Sequence, residues 1–205
     1  MAPAAALFYI DIQKGIADDR EHEIPAAARI RHAGAKILET ARSLLDTHSR
    51  RVDESSSDEA RPALIVFIQH EEPPEDGPLN RGSELWKLVF EPRDGVSQEW
   101  LVQKKDDDVF TSNPDLGAKL KASGIEHVIA IGIMSEYCVE ESCKGALNAG
   151  FGVTLLSGAH STYNREAQSA TEIEREVEAR LREKAVTVVG WEEAVAAWRG
   201  QGADL

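Results

Sequence analysis

The chain has 205 residues, enough for one sizeable domain and too few for two of ordinary size. Hydrophobic residues make up 42% of it, so a packed core is available and wholesale disorder is not expected. The formal net charge is −13, from 36 acidic against 23 basic residues, with no basic stripe; nucleic-acid binding and docking on an anionic membrane are both disfavoured.

The opening MAPAAALFYIDIQ has a short apolar run that ends at Asp11 and no basic lead-in, so no signal peptide is expected. No run of about 18 apolar residues follows anywhere, and the expectation is a cytoplasmic protein without a transmembrane helix. Residues 6–12 read as a buried strand. Residues 26–48 carry Ile30, Ile37, Ala41, Leu44 and Leu45 at helical spacing. Residues 51–61 (RVDESSSDEAR) are polar and apolar-poor, and read as an exposed loop within one domain spanning 1–205. Residues 63–69 (ALIVFIQ) are a second strand. Residues 70–98 are rich in proline and glycine, and a long irregular segment of this kind in a compact domain is often functional.

A short strand follows at 99–103, then a helix opened by Asn113-Pro114 that stops near Gly124. Residues 128–132 (VIAIG) form a fourth strand, and a helix is predicted from about Tyr137 to Ala149. A strand at 153–156, a charged helix at 166–184, a strand at 185–189 and a short helix at 192–198 complete the chain. Apolar strands without polar alternation, separated by helices, predict a single α/β domain: a six-stranded parallel sheet between two helical layers. Ligands of such sheets bind beyond the carboxyl ends of the strands. That rule marks Asp11, Gln69-His70, Gln103-Lys104 and residues 132–138.

Two cysteines, Cys138 and Cys143, are too few for a disulfide framework, and six scattered histidines form no metal-binding cluster, so no metal or other cofactor is expected. Cys138 falls where a strand passes into a helix. Free amides and the helix dipole there would favour a thiolate, though a buried inert cysteine fits the same position. Asp11 ends the first strand and suits either a proton shuttle or an ordinary cap. A cation beside the thiol would lower its pKa, and adjacent Lys104 and Lys105 are both available. Asp106–Asp108 read as a solvated acidic face.

YIDIQKG, VQKKDDDVF, GIMSEYCVEESCKGALNAGF and SGAHST, taken together and in order, resemble the isochorismatase-like cysteine hydrolases over nearly the whole chain. The resemblance implies a catalytic triad of Asp11, Lys104 (six residues before Phe110) and Cys138. It also implies a cis peptide between Ile133 and Met134, and an oxyanion hole from the backbone amides of Met134 and Cys138. Nicotinamidases of that family carry an Asp-x-His…His metal site after the second strand; His70 here has no second histidine near it. True isochorismatases lack the cysteine. The pattern of His70, Trp86 and residues 159–162 is similar to amidase-like members, including streptothricin-hydrolase-like ones.

Gln13, Ile16, His70, Trp86, Glu136, Tyr137 and His160 are the candidates for substrate contact. The expected function is hydrolysis of a small-molecule amide or related C–N bond through a cysteine thioester. A vinyl-ether hydrolase or lyase using Asp11 as acid, or a non-catalytic small-molecule binding protein, are the alternatives. The resemblance implies a homo-oligomer, dimer or tetramer.

Overall fold

Apolar residues at successive positions give strand β1 (Ala4–Ile10) two buried faces. Ala5, Leu7 and Tyr9 point into one core, while Ala6, Phe8 and Ile10 point into the other. The computed structural model describes residues 3–48 and 60–200. Within them, β1 is flanked by β2 (Arg61–His70) and β4 (His127–Ile133), and the sheet is completed by β3 (Glu99–Lys104), β5 (Gly152–Ser161) and β6 (Thr187–Gly190). All five pairings are parallel, and the order is β3-β2-β1-β4-β5-β6.

The helices are α1 (Lys14–Ala17), α2 (Ala27–His48), α3 (Val109–Ser112), α4 (Leu116–Ala122), α5 (Glu140–Asn148), α6 (Ala170–Glu183) and α7 (Trp191–Gly200). α2 and α7 cover one face through Ile30, Ile37, Leu38, Val195 and Trp198. α4, α5 and α6 cover the other through Leu120, Ala146, Ile173, Val177 and Leu181. Each fully buried Leu, Ile or Phe removed from water contributes about 1.5–3 kcal/mol. The predicted three-layer α/β/α arrangement with six parallel strands is therefore present.

Strand order decides where a ligand goes. From β1 the chain runs outward through β2 to β3, then returns to β4 and runs outward the other way through β5 to β6. The winding reverses between β1 and β4, and the carboxyl side of such a reversal is where ligands of these sheets bind. Asp11 leaves β1 there, and Met134 leaves β4 there.

Several local expectations are adjusted. The polar stretch 51–61 lies outside the described residues up to position 59, and Arg61 already belongs to β2. β5 runs to Ser161 rather than ending at Leu156, through a register shift opposite Ala130–Gly132 and a left-handed Gly158 (φ 80°). The helix predicted from Tyr137 begins instead as a π-helical turn at Ser135–Val139. The Met134 carbonyl accepts from the amides of both Tyr137 (3.2 Å) and Val139 (3.1 Å), which widens this turn. Among the described residues no helix is long and apolar enough to cross a membrane.

Candidate active site

β1, β2 and β3 are hydrogen-bonded in register to their carboxyl ends, and this lays the polar residues that follow side by side. His70 and Lys104 share a rung of β2 and β3. Asp11 turns out of β1 with φ 52°, a left-handed conformation that Asp adopts more readily than most residues, and its amide donates to the Ile68 carbonyl at 3.1 Å. Gly132, one rung across on β4, has φ 141°, and a Cβ there would meet the Ile10 carbonyl oxygen at 2.1 Å. Only glycine lets β4 approach β1 this closely, immediately before the peptide between Ile133 and Met134, which is cis.

Lys104 is the hub. Its ammonium lies 2.8 Å from Asp11 Oδ2, 3.0 Å from Cys138 Sγ, 3.1 Å from His70 Nδ1 and 3.1 Å from the Asp106 carbonyl. The side chains of Asp11 and Lys104 are sealed from solvent, and Cys138 is buried. Lys105, the alternative cation, points outward and pairs with Glu71 at 3.6 Å. Asp11, His70 and Cys138 each place one ligating atom within 4.8 Å of the others, a grouping able to surround a cation. Lys104 contacts all three, so the cation already at that point is its own ammonium.

Electrostatics follow from this burial. Taken alone, burial would lower the Lys104 pKa; Asp11 and Cys138 outweigh it and hold the ammonium firmly charged. Burial pushes the Cys138 thiol well up, Asp11 adds to that, and Lys104 opposes both. This corrects the expectation of a depressed thiol pKa. Cys138 lies in a π turn beside a carboxylate, and its burial there favours the neutral thiol. Burial and then Lys104 lower the His70 pKa, against weaker opposition from Asp11, Glu72 and Asp107. Cys143, buried among α5 neighbours, is pushed up to about 12 by burial and Glu140.

The acidic run is more than a solvated face. Asp107 Oδ1 stands 3.6 Å from Cys138 Sγ. Asp106 offers its carbonyl to Lys104, and Asp108 caps α3 by accepting from the Phe110 amide at 2.9 Å. Ser142 of α5 ties this loop to the cysteine turn by donating to the Asp107 carbonyl at 3.3 Å. No sequence pattern separated these roles from those of a surface loop.

The isochorismatase domain model matches residues 5–192. The chain belongs to the isochorismatase-domain family. It is 33% identical over 161 residues to a streptothricin hydrolase of Streptomyces noursei, an alignment covering 78% of this chain and 50% of that protein. The chain thus spans about half the length of the curated relatives it matches. In fold it is similar to a cysteine hydrolase from Pseudomonas syringae pv. phaseolicola 1448A, with TM-score 0.76 and 17% identity over 96% of this chain and 93% of that one. An isochorismatase-like hydrolase from Alkaliphilus metalliredigens gives TM-score 0.72 and 20% identity over 95% and 99% of the two chains.

Within this isochorismatase-domain protein the remaining sequence candidates divide by position. Gln13 is fully buried and works as a clamp. Its Nε2 donates to the carbonyls of His70 (3.0 Å) and Trp86 (2.7 Å), and its Oε1 accepts from the His70 amide (2.8 Å). It thereby pins the irregular segment to the end of β1. Ile16 packs into the α2-side core. Trp86 packs against the same core, and its Nε1 is shielded with no hydrogen-bond partner. His160 is buried beside β4, with Nδ1 at 2.8 Å from Ser135 Oγ and Nε2 at 3.4 Å from Glu178. These contacts are to the framework under the cysteine turn. Glu136 pairs with Arg165 at 2.7 Å, and the Arg165 guanidinium lies over the exposed Tyr137 ring at 5.4 Å. Arg165 carried no sequence signal of its own, although it follows the SGAHST motif by three residues.

Proposed function

We propose that this hydrolase cleaves a small-molecule amide or related C–N bond through a thioester on Cys138. One observation carries the reading: a solvent-sealed ammonium, Lys104, in simultaneous contact with the Asp11 carboxylate and the Cys138 sulfur.

The high thiol pKa fits a concerted start. Asp11 accepts the Sγ–H proton as the sulfur–carbon bond forms and the carbonyl electrons move onto oxygen. Lys104 stabilises the sulfur as charge develops on it, and the amides of Met134 and Cys138 receive the oxyanion. Collapse of the intermediate breaks the C–N bond, with the Asp11 proton passing to the leaving nitrogen. Water then attacks the thioester and returns a proton to Asp11. Departure of the sulfur releases the acid, and the proton on Asp11 restores the thiol. Trp86, Glu136 and Tyr137 are among the substrate-facing groups in this reading. Gln13, Ile16 and His160 support the walls.

Streptothricin, named for the relatives, belongs in the substrate panel alongside simple amides. Wild type, Cys138→Ala and Asp11→Asn are compared across that panel by mass spectrometry of products. Loss of turnover in both variants is expected. Turnover that survives Cys138→Ala but not Asp11→Asn would overturn the thioester route in favour of acid chemistry by Asp11. A homo-oligomer also belongs to this reading, and sedimentation of the full chain measures it.

A further inference from the structure

Lys104 has three N–H groups, and four acceptors lie within 3.1 Å of its nitrogen. A charged ammonium has no lone pair, so it cannot accept a hydrogen bond from a ring nitrogen. The 3.1 Å contact with His70 therefore needs an unprotonated Nδ1. The backbone of His70 cannot drift away from this contact, because the Gln13 side-chain amide holds both its N–H and its carbonyl. The ring's single proton is then confined to Nε2. Among the described residues no protein group bonds Nε2, and that atom is not among those sealed from solvent without a partner. An N–H donor thus stands without a protein partner beside the Lys104–Asp11–Cys138 cluster.

We infer that Lys104 fixes His70 as a neutral Nε2–H donor, a specificity-determining contact for an acceptor oxygen or nitrogen of the substrate and not a proton-accepting base. This rests on the proposed amide hydrolysis for its substrate and stands independently in its geometry. The charged groups facing the ring are Lys104, which disfavours the imidazolium, and Asp11, Glu72 and Asp107, which favour it. An acceptor-bearing substrate is matched by the donor; one offering a second N–H at that point would leave two donors facing each other.

The test is nitrogen NMR of the full chain labelled with 15N-histidine, which reads protonation and tautomer without any turnover. At neutral pH the His70 signals are expected to report the Nε2–H tautomer, with a titration midpoint below the ordinary 6.5. In Lys104→Met the midpoint should rise by about one unit, because the opposing cation is gone while Asp11 remains. An Nδ1–H tautomer, or an imidazolium persisting at neutral pH in wild type, would overturn the assignment even if the lysine variant fails to fold. Acetamide, added as a probe carbonyl, should shift the His70 Nε2 resonance and leave His127 unmoved. No shift at the solubility limit would overturn the substrate-facing role. These readouts do not depend on Cys138, so they remain interpretable if Cys138→Ala retains turnover.

Discussion

Lys104 Nζ and Asp11 Oδ2 stand 2.8 Å apart with both side chains closed to water. In such surroundings, removing one partner strands the other as an unpaired buried charge, which costs about 3–5 kcal/mol. Lys104→Met should therefore lower unfolding stability by about that amount, measured by urea denaturation at neutral pH. Combining it with Asp11→Asn removes the stranded charge and should recover most of the loss. Equal destabilisation in the single and double variants would mean the pair does not function as a unit.

Gly132 holds β4 against β1. Gly132→Ala would place a Cβ 2.1 Å from the Ile10 oxygen, at a φ of 141° that alanine avoids. Backbone, not a flexible side chain, must give way. A loss of at least about 2 kcal/mol is expected. Because Ile10 adjoins Asp11 and Gly132 adjoins the cysteine turn, hydrolysis should fall more steeply than stability does. Circular dichroism melts compared with turnover on the same preparations check this.

Much of this arrangement was legible beforehand, and the part that was not has physical reasons. The apolar runs around Phe8, Val66 and Ile129 could only be buried strands, and the order of the motifs placed Asp11, Lys104 and Cys138 at strand ends. The extension of β5 was hidden because Ser157-Gly158 reads as a chain breaker, whereas Gly158 at φ 80° turns the strand without ending it. The high thiol pKa of Cys138 was hidden because position at a helix start says nothing about depth: burial beside Asp11 outweighs the nearby helix amides. Gln13 and His160 read as substrate candidates because polar residues near strand ends often are, and the sequence does not disclose their framework partners. Their partners, the His70 backbone and Ser135, lie 57 and 25 residues away.

Glu99 sets the acid limit at the opposite end of β3. Its carboxylate is buried between Arg42 (2.8 Å) and Arg93 (2.6 Å). Burial works to raise its pKa, but the hydrogen bonds from the two arginines prevail and hold it below the usual 4.5. With a folded pKa lower than the unfolded one, this group stabilises the protein above about pH 4.5, and the contribution fades as pH falls through the lowered value. Glu99→Gln should cost about 3 kcal/mol at pH 7 and progressively less below pH 4.5. Denaturation series of both proteins at several pH values would reveal a constant difference if the arginine pairing contributed nothing.

Whether the Cys138 sulfur carries the acyl group is read by acid-quenched intact-mass spectrometry during turnover. With an amide the enzyme hydrolyses, quenching in the first turnovers should reveal protein heavier by the acyl group, and peptide mapping should place that mass on Cys138. Sustained hydrolysis by Cys138→Ala at the wild-type rate, with no acylated protein in wild type, would rule out Cys138 as the nucleophile.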